Sequence, residues 1–384
     1  MNFKRIRTLA YKEWRELVRD RLFFSLSILV PAILMLIFGF GLSLDVENIP
    51  LAIVDYDHSA LSREYAHKFI DSRYFNFKGY SRDERTIDWM LARAEIRAAL
   101  VIPKDFERSL LAGQPATVQT LLDGTFPFRT TTTKGYVRAI NSAVSSEVLA
   151  RYLSQAGGIP SEQALRMVRP VRLEVRYLYN QSVKSIWSLA PKLIMVILII
   201  APPFMTALGV VREKESGSIY NIYASTVSRG EFLVGKLAPY VGVSIFNAVV
   251  LWVMAITIFG APFKGNPLFF FCASALYVVC TTGIGVVVST FARTQIAAMI
   301  ATAVLTVVPA VLYSGVLIPV SSLSPTTKVV AHLLPAMYFT NIVLGAFLKG
   351  VGLNVLWGNV LVLALYATGL FTIGYLLFRK RPAA

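Results

Sequence analysis

Long apolar runs separated by polar segments dominate the pattern of this chain. Six runs are long enough for a transmembrane helix, which takes roughly 20 mostly apolar residues. They cover residues 22–44, 186–211, 237–259, 268–291, 296–318 and 355–378. The pattern therefore predicts an α-helical polytopic membrane protein with six transmembrane helices, the first at 22–44 and the other five within 186–384.

The segment 45–185, between the first two runs, is polar and alternates strand-like with helix-like patches. Asp57 is expected to cap the first of the helices. Strands are predicted over 49–54, 74–80, 96–102, 118–122 and 171–177, and helices over 59–70, 83–94, 104–111 and 130–155. This alternation is typical of a small α/β domain. The predicted fold class is thus a six-helix membrane protein with an α/β domain inserted between helices 1 and 2.

The distribution of basic residues predicts the orientation. The chain has 38 Lys and Arg residues against 22 Asp and Glu residues, a net charge of +16. On one side of the six runs the short loops hold only Lys264, Lys328 and Lys349, and the other side is strongly basic. Because cytoplasmic loops are enriched in Lys and Arg, we expect both termini in the cytoplasm of a bacterial inner membrane. Residues 45–185 are then expected to be extracytoplasmic, that is periplasmic or extracellular.

The N-terminal segment 1–21 is predicted to be an amphipathic helix along the cytoplasmic membrane surface. Its apolar residues recur at helical spacing, and the charged residues fall elsewhere. The apolar positions are Ile6, Leu9, Ala10, Trp14, Leu17 and Val18. The alternative interpretation is a solvated basic tail.

Composition and absent motifs exclude several classes of protein. With 55% hydrophobic and 16% charged residues, the chain is unlike a soluble enzyme or a disordered protein. Its basic charge indicates a membrane surface rather than nucleic acid. Asp55, Asp57 and His58 fit a strand-to-turn transition better than a catalytic or metal site. We therefore expect no metal and no cofactor bound by this chain.

The six runs contain no Asp or Glu, which bears on ion-coupled transport. Such transporters use buried carboxylates or histidines to carry the coupling ion, so this class is disfavoured. Lys192, in the second run, either snorkels to the outer interface or lines a pore.

The segment 212–236, between the second and third apolar runs, has the most informative residue pattern in the chain. Its part 230–237 nearly matches a phosphate-binding loop, but Leu237 lacks the required hydroxyl and the segment leads into a membrane span. ATP binding by this chain itself is therefore not expected. Gly217 permits a bend, and a short helix there would present an apolar face to a partner. That face consists of Ile219, Ile222 and Tyr223. The alternative is a solvated basic loop.

Three motifs in this segment resemble the signature of type-2 ABC transporter permeases, whose patterns are E-x-E-x-G-T, S-P-V-S-R-x-E and G-K. Ser218 stands here in place of Thr, and Thr226 in place of Pro. The chain is especially similar to the permease half fused to the ribosome-associated ATPase, within a drug-exporter-like subgroup. The matching residues are Glu213, Glu215, Gly217, Ser218, Ser228, Arg229, Glu231, Gly235 and Lys236.

This resemblance implies a half-transporter that exports a drug-like, amphiphilic or other substrate. Family members pair two permease subunits, identical or different, with two ABC ATPase subunits that bind the ATP and Mg²⁺. The segment 212–236 is then the implied ATPase contact, fixed through Glu213 and Glu215 against the ATPase or the N-terminal helix. In that helix the implied interface residues are Lys12, Glu13 and Trp14. A periplasmic adaptor protein and membrane lipid are further expected partners.

The segment 319–354 is long for a loop and contains two apolar stretches that are too short to span a membrane. We expect short helices that dip into the outer leaflet as a re-entrant hairpin. The residues that the resemblance marks in and before it are Ser314, Gly315, Pro319, Pro335 and Tyr338. Two other functions stay open at this stage, an ion-coupled secondary transporter and a membrane-anchored receptor acting through the outer domain. Dependence on a separate ATPase distinguishes them.

Overall fold

The computed structural model describes residues 2–42, 45–168, 174–220 and 226–378. The chain divides into two units. Unit 1 comprises Met1–Leu44 and Tyr177–Ala384, and unit 2 comprises Asp45–Arg176. Unit 2 therefore interrupts unit 1 after its first membrane-length helix.

The elements that the structure describes follow one another in chain order. They are α1 (Phe3–Arg19), α2 (Arg21–Gly41), β1 (Ile49–Asp55), α3 (Ala60–Ile70), β2 (Phe75–Tyr80), α4 (Glu84–Ala92), β3 (Ala98–Ile102), α5 (Phe106–Leu111), β4 (Gln119–Leu122), α6 (Pro127–Gly157), α7 (Ser161–Val168), α8 (Ser185–Glu215), α9 (Arg229–Thr257), α10 (Pro267–Phe291), α11 (Gln295–Tyr313), α12 (Pro325–His332), α13 (Pro335–Leu344) and α14 (Leu353–Leu377).

Within the described residues, six helices of unit 1 are long and apolar enough to cross a membrane, which confirms the predicted number of spans. They are α2, α8, α9, α10, α11 and α14. A bent pair of helices could count as a seventh span. Its first arm is α12, its second arm is α13 with the π-helical extension Gly345–Lys349, and the bend between the arms is 86°. The hydroxyl of Tyr338 donates a hydrogen bond across the bend to the carbonyl of His332 at 3.0 Å. Two short helices thus occupy the segment 319–354, as predicted.

The central helix of unit 1 is α8, which packs against α2, α9, α10, α11 and α13. Most of the apolar stretch of α8 is buried. In α2, α11 and α14, less than a quarter of the corresponding stretch is buried. Gly285 of α10 permits one close contact, because a Cβ there would lie 2.5 Å from the carbonyl oxygen of Pro203. The outward sides of α2, α11 and α14 are left for lipid or another membrane subunit to cover.

Helices extend into the segment 212–236 from both sides. Because α8 continues to Glu215 and α9 begins at Arg229, the connection is shorter than predicted and covers 216–228. Residues 221–225, with the predicted apolar positions Ile222 and Tyr223, lie outside the described residues. The segment 230–237 is helical within α9, so it does not have the conformation of a phosphate-binding loop.

Unit 2 is built on a four-stranded sheet in the order β2-β1-β3-β4. β1 runs parallel to β2 and β3, and β4 is antiparallel to β3. Successive residues of a strand point to opposite faces, so β1 and β3 bury both of theirs. Leu51 and Leu100 face a core with α3, α5 and α6, and Ala52 and Ala99 face a second core with α4.

Two predictions for unit 2 are wrong. Residues 174–177, the described part of the predicted last strand, form no strand, and 171–173 lie outside the described residues. Asp57 does not cap α3, because Ser59, one residue before that helix, accepts the hydrogen bond from the Ser62 N–H at 3.0 Å. The Asp57 carboxylate instead accepts from the N–H groups of Phe106 and Glu107 at 3.0 and 3.1 Å, at the start of α5.

Candidate functional site: the junction of α1, α8 and α9

The N-terminal helix α1 lies against the first turns of α9, and a residue without a side chain permits the close approach. A Cβ at Gly235 would lie 2.7 Å from the Cβ of Leu9 and 3.1 Å from the carbonyl oxygen of Ile6. Both distances are tighter than ordinary contacts, so glycine at this position sets the spacing of the two helices. The next residue, Lys236, is thereby brought within reach of the side chains of α1.

A charge cluster that is buried except for the half-exposed Lys12 joins α1, α8 and α9. Its members are Lys12, Glu13, Glu213, Lys236 and Tyr240. The Nζ of Lys236 lies 2.8 Å from Oε2 of Glu13 and 2.9 Å from Oε1 of Glu213. The hydroxyl of Tyr240 donates to Oε1 of Glu13 at 2.5 Å, and Nζ of Lys12 lies 3.6 Å from Oε1 of Glu213. The Lys236 side chain is 4% exposed, so carboxylates from two other helices solvate its ammonium in place of water.

Lys12 and Lys236 face Glu13 and Glu213 in the cluster, and the exposed Glu16 adds a third carboxylate that lies 3.3 Å from Lys12. A buried ion pair is not by itself a large source of stability, because desolvation offsets much of the attraction. Removing one partner, however, costs about 3–5 kcal/mol because the other charge is left buried and uncompensated. The cluster therefore resists separation of α1 from α8 and α9.

A trio of carboxylates lies at the same place. Oxygens of Glu13, Glu16 and Glu213 come within 4.8 Å of one another. Two ammonium groups already bridge them: Lys236 contacts Glu13 and Glu213, while Lys12 lies 3.3 Å from Glu16 and 3.6 Å from Glu213. We therefore interpret the trio as the anionic half of the ion cluster rather than as a metal site.

Glu231 fixes the start of α9 and the start of α1 together. Its Oε2 accepts from the Ser228 N–H at 2.9 Å, and Ser228 Oγ accepts from the Glu231 N–H at 3.3 Å, which is a capping box. Its Oε1 accepts from the N–H of Asn2 at 2.6 Å. Arg5 of α1 adds a hydrogen bond to the carbonyl of Thr226 at 2.8 Å. The capping motif thus also holds the N-terminus.

The two glutamates at the end of α8 have different partners. Glu213 lies in the charge cluster against α1, whereas Oε1 of Glu215 accepts from the N–H of Gln295 at 2.9 Å, at the start of α11. Gly217 has a φ of +72°, a left-handed conformation that glycine adopts readily, and it turns the chain after α8. The Oγ of Ser218 lies 2.9 Å from that of Ser216 within this turn.

Comparison with known proteins decides the family. A family model described as "ABC-2 family transporter protein" matches residues 21–376. The chain belongs to this family. It is 27% identical to the probable multidrug ABC transporter permease YbhS of Escherichia coli K12, over 99% of this chain and 98% of the relative. It is 28% identical to the probable multidrug ABC transporter permease YbhR of the same strain, over 99% of both chains. The inner membrane transport permease YhhJ of that strain is 24% identical, over 99% of this chain and 98% of the relative.

The chain is thus the membrane component of an ABC transporter, and its junction includes residues that the family motifs do not mark. Asp20 Oδ2 accepts from Arg212 at 3.0 Å, and Asp20 Oδ1 accepts from the N–H of Phe23 at 3.1 Å. The backbone hydrogen bond from Phe23 and the Arg212 guanidinium lower the pKa of Asp20. The sequence contains signals that could have identified such residues. Asp20 directly precedes an apolar run, as helix caps do. Tyr240 lies one helical turn after Lys236 and therefore on the same face of the helix.

A cavity of about 580 Å³ opens beside the charge cluster of this permease. Charged groups of both signs line it, among them Lys12, Glu16 and Arg212. Trp14, predicted at the interface, packs edge-on against Phe24 with 6.2 Å between ring centroids, and it stays 43% exposed. Arg229 is the first residue of α9.

The residues predicted for the outer hairpin lie far from this junction along α8. Lys192 near the start of α8 donates to the carbonyl of Val316 at 3.2 Å, in the turn after α11. At 1.5 Å per residue, this contact lies about 30 Å along α8 from Glu213. Lys192 therefore holds the turn rather than reaching freely to the interface. In that region Ser314 is buried and donates to the Ala310 carbonyl, Gly315 has a φ of +87°, Pro319 precedes a 3₁₀ turn, and Pro335 begins α13.

Proposed function

We propose that this permease exports drug-like or amphiphilic compounds, driven by a separate ABC ATPase that binds at the junction of α1, α8 and α9. One observation carries the proposal: the signature positions Glu213, Glu231, Gly235 and Lys236 contact α1 or the residue before it, and Ser228 caps the helix on which the last three lie. Because α8 is also the central helix of the bundle, a displacement applied at this junction reaches most of the other spans. The names of YbhS and YbhR as probable multidrug permeases support drugs as the substrate class.

Orientation and partners follow from this placement. With the junction in the cytoplasm, both termini are cytoplasmic and unit 2 lies outside, in agreement with the basic residues of that side. ATP and Mg²⁺ bind to the ATPase, and a second permease subunit, identical or homologous, completes the transporter. An adaptor protein on the outer side is a further partner of unit 2.

In the proposed mechanism, ATP binding draws two ATPase subunits together and displaces the connection 216–228 and α1. The charge cluster makes α1, α8 and α9 move as one body, since separating its members would leave charges buried without partners. The motion of α8 reaches the turn after α11 through Lys192 and Val316, about 30 Å away along the helix.

The test is co-purification of the tagged chain from its native host under mild extraction. We expect an ATPase subunit in roughly equal amount. The variant Tyr220→Ala alters an exposed aromatic residue of the connection, and we expect it to reduce ATPase recovery. Tyr179→Ala is the matched control, because Tyr179 is similarly exposed but precedes the start of α8.

A homo-oligomer that co-purifies with no ATPase would contradict the proposal and favour an ion-coupled transporter or a receptor. Equal loss of ATPase in both tyrosine variants would contradict the assigned contact surface. Labelling of single introduced cysteines from outside intact cells tests the orientation, with reaction expected in unit 2 and none at α1.

A further inference from the structure

Unit 2 contains a groove between α5 and α6 whose chemistry differs from the rest of that unit. It is about 510 Å³ in volume, within the range of pockets that hold drug-sized molecules. One wall is α6, the opposite wall is the end of α5 with the following segment 113–118, and Tyr65 and Phe106 lie between them. Among the described residues that line it, none carries a charged side chain.

The absence of charge follows from the spacing of residues on α6. The helix presents a stripe to the groove at intervals of three and four residues, as one helix face does. The stripe consists of Asn141, Val144, Ser145, Val148, Leu149 and Tyr152. Two of its charged residues fall beside this stripe and pair with α3: Glu147 lies 2.9 Å from Lys68, and Arg151 donates to Glu64 at 3.0 Å. These two ion pairs lie at the contact with α3, outside the groove face of α6.

Neutral polar groups stand inside this apolar surface. The buried hydroxyl of Tyr65 donates to Oδ1 of Asn141 at 2.5 Å, which leaves the amide nitrogen of Asn141 as a donor for another group. Burial raises the pKa of Tyr65, so this phenol stays uncharged at physiological pH. Ser145 and the amide of Gln114 add further neutral donors and acceptors. Apolar walls with a few neutral polar groups are the composition of small-molecule sites.

The rim of the groove is held in place by a helix end. Gly113, with a φ of +71°, follows α5, and the N–H of Gln114 donates to the carbonyl of Ser109 at 2.9 Å. The ring of Tyr152 lies directly over Gly113. Leu149 and Tyr152 nevertheless remain 48% and 44% exposed. Apolar side chains therefore line an open, preformed site.

We propose that this groove binds an uncharged amphiphilic small molecule, with its apolar body between α5 and α6 and a neutral polar group at Asn141. A charged ligand is disfavoured because it would lose hydration without meeting an opposite charge. That the ligand is a compound of the exported class rests on the proposed function; the binding itself does not.

The test is protection of an introduced cysteine in the full-length chain in lipid nanodiscs. Ser145→Cys places a thiol on the groove stripe. Ser142→Cys is the matched control, since Ser142 is exposed on the same helix but does not line the groove. Unmodified protein gives the background, because both native cysteines lie in α10. Labelling uses a charged, membrane-impermeant methanethiosulfonate reagent.

The probe is uncharged N-phenyl-1-naphthylamine, compared with anionic 1-anilinonaphthalene-8-sulfonate. Because a bound probe lowers the free-site fraction by the factor 1 + [L]/Kd, the uncharged probe at about four times its Kd should slow labelling of Ser145→Cys about fivefold. Labelling of Ser142→Cys should not change, and the anionic probe should protect neither position.

Equal protection of both cysteines, protection of neither, or equal protection by both probes would each overturn the proposal. In the absence of probe, Ser145→Cys could be labelled slowly, and faster after dilution. That result would show that a second copy of the chain fills the groove, and it would also overturn the proposal. The assay contains no ATPase, so its failure leaves the proposed export function untouched. Conversely, protection without any ATP-driven export would refute the function and keep the site.

Discussion

Ion pairs serve opposite roles in the two units of this permease. At the junction of unit 1, Lys236 is 4% exposed and contacts carboxylates from α1 and α8. In unit 2, Arg151 is 54% exposed and pairs with Glu64 of α3. The same chemistry is therefore buried and shared between three helices in one place, and it is solvated and pairwise in the other.

This difference teaches where charge carries structural information. An exposed pair adds about 0–1 kcal/mol, since water solvates either partner alone. A buried pair cannot lose one member cheaply, because the other cannot regain hydration without opening the structure. The junction is thus the place where single charge changes should have large effects, and the surface of unit 2 is the place where they should not.

The largest effect is expected from Lys236→Met. The variant leaves Glu13 and Glu213 buried, and Lys12, 3.6 Å from Glu213, is the remaining ammonium partner among the described residues. The free energy of unfolding should therefore fall by about 3–5 kcal/mol. Reversible unfolding in mixed micelles measures it. The double variant Lys236→Met with Glu213→Gln removes one charge of each sign and should recover part of the loss. A Lys236→Met protein as stable as the unmodified chain would show that the cluster is not energetically buried.

The second effect concerns packing rather than charge. Gly235→Ala places a Cβ against Leu9 and the Ile6 carbonyl, and overpacking of this kind costs about 1–3 kcal/mol. It should also loosen α1, measured as faster proteolysis of the N-terminus. Gly242→Ala is the control on the same helix, since its Cβ would meet nothing within 4 Å. Equal behaviour of the two variants would remove the role assigned to Gly235.

A smaller effect is expected at the capping box of α9. Ser228→Ala removes the acceptor for the Glu231 N–H, and loss of such a cap costs about 1 kcal/mol. Thermal unfolding of the purified permease measures the change. Glu231→Gln keeps one acceptor oxygen, which can serve the N–H of Ser228 or of Asn2 but not both, and should cost less than Glu231→Ala. The reverse order would mean that charge, not hydrogen bonding, fixes this helix end.

The smallest effect is expected from Arg151→Ala on the surface of unit 2. Loss of this exposed pair should change the free energy of unfolding by less than about 1 kcal/mol. The same unfolding assay applies, and Lys68→Ala tests the neighbouring pair with Glu147. A loss as large as that of Lys236→Met would erase the distinction between the two regions.

The sequence predicts the membrane helices well because each needs a long apolar run, and no other feature of the chain produces one. The inserted sheet is also predictable, since β1 and β3 are short apolar runs bounded by turn residues. The prediction of a strand at 171–177 is wrong for the described residues 174–177, because alternation over a few residues is a weak signal without a neighbouring strand. Asp57 is misassigned because two helix starts lie close in space, and sequence spacing shows only one of them.

At the junction, the family motifs mark five positions that the structure brings together, but they do not reveal why. Gly235 and Lys236 are adjacent in sequence, yet one permits contact with α1 and the other binds Glu13 across that contact. Pairing between residues more than 200 positions apart cannot be derived from the sequence alone. Tyr240 is missed for the same reason, since its partner lies on α1.

The most direct test of the account is export per ATP hydrolysed, measured in proteoliposomes that contain the permease with its ATPase. Glu13→Gln and Glu64→Gln make the same substitution in the buried and the exposed region. If the charge cluster carries motion from α1 to α8, Glu13→Gln should lower export per ATP several-fold and Glu64→Gln should leave it unchanged. An unchanged ratio in Glu13→Gln, or an equal loss in Glu64→Gln, would contradict coupling through this junction.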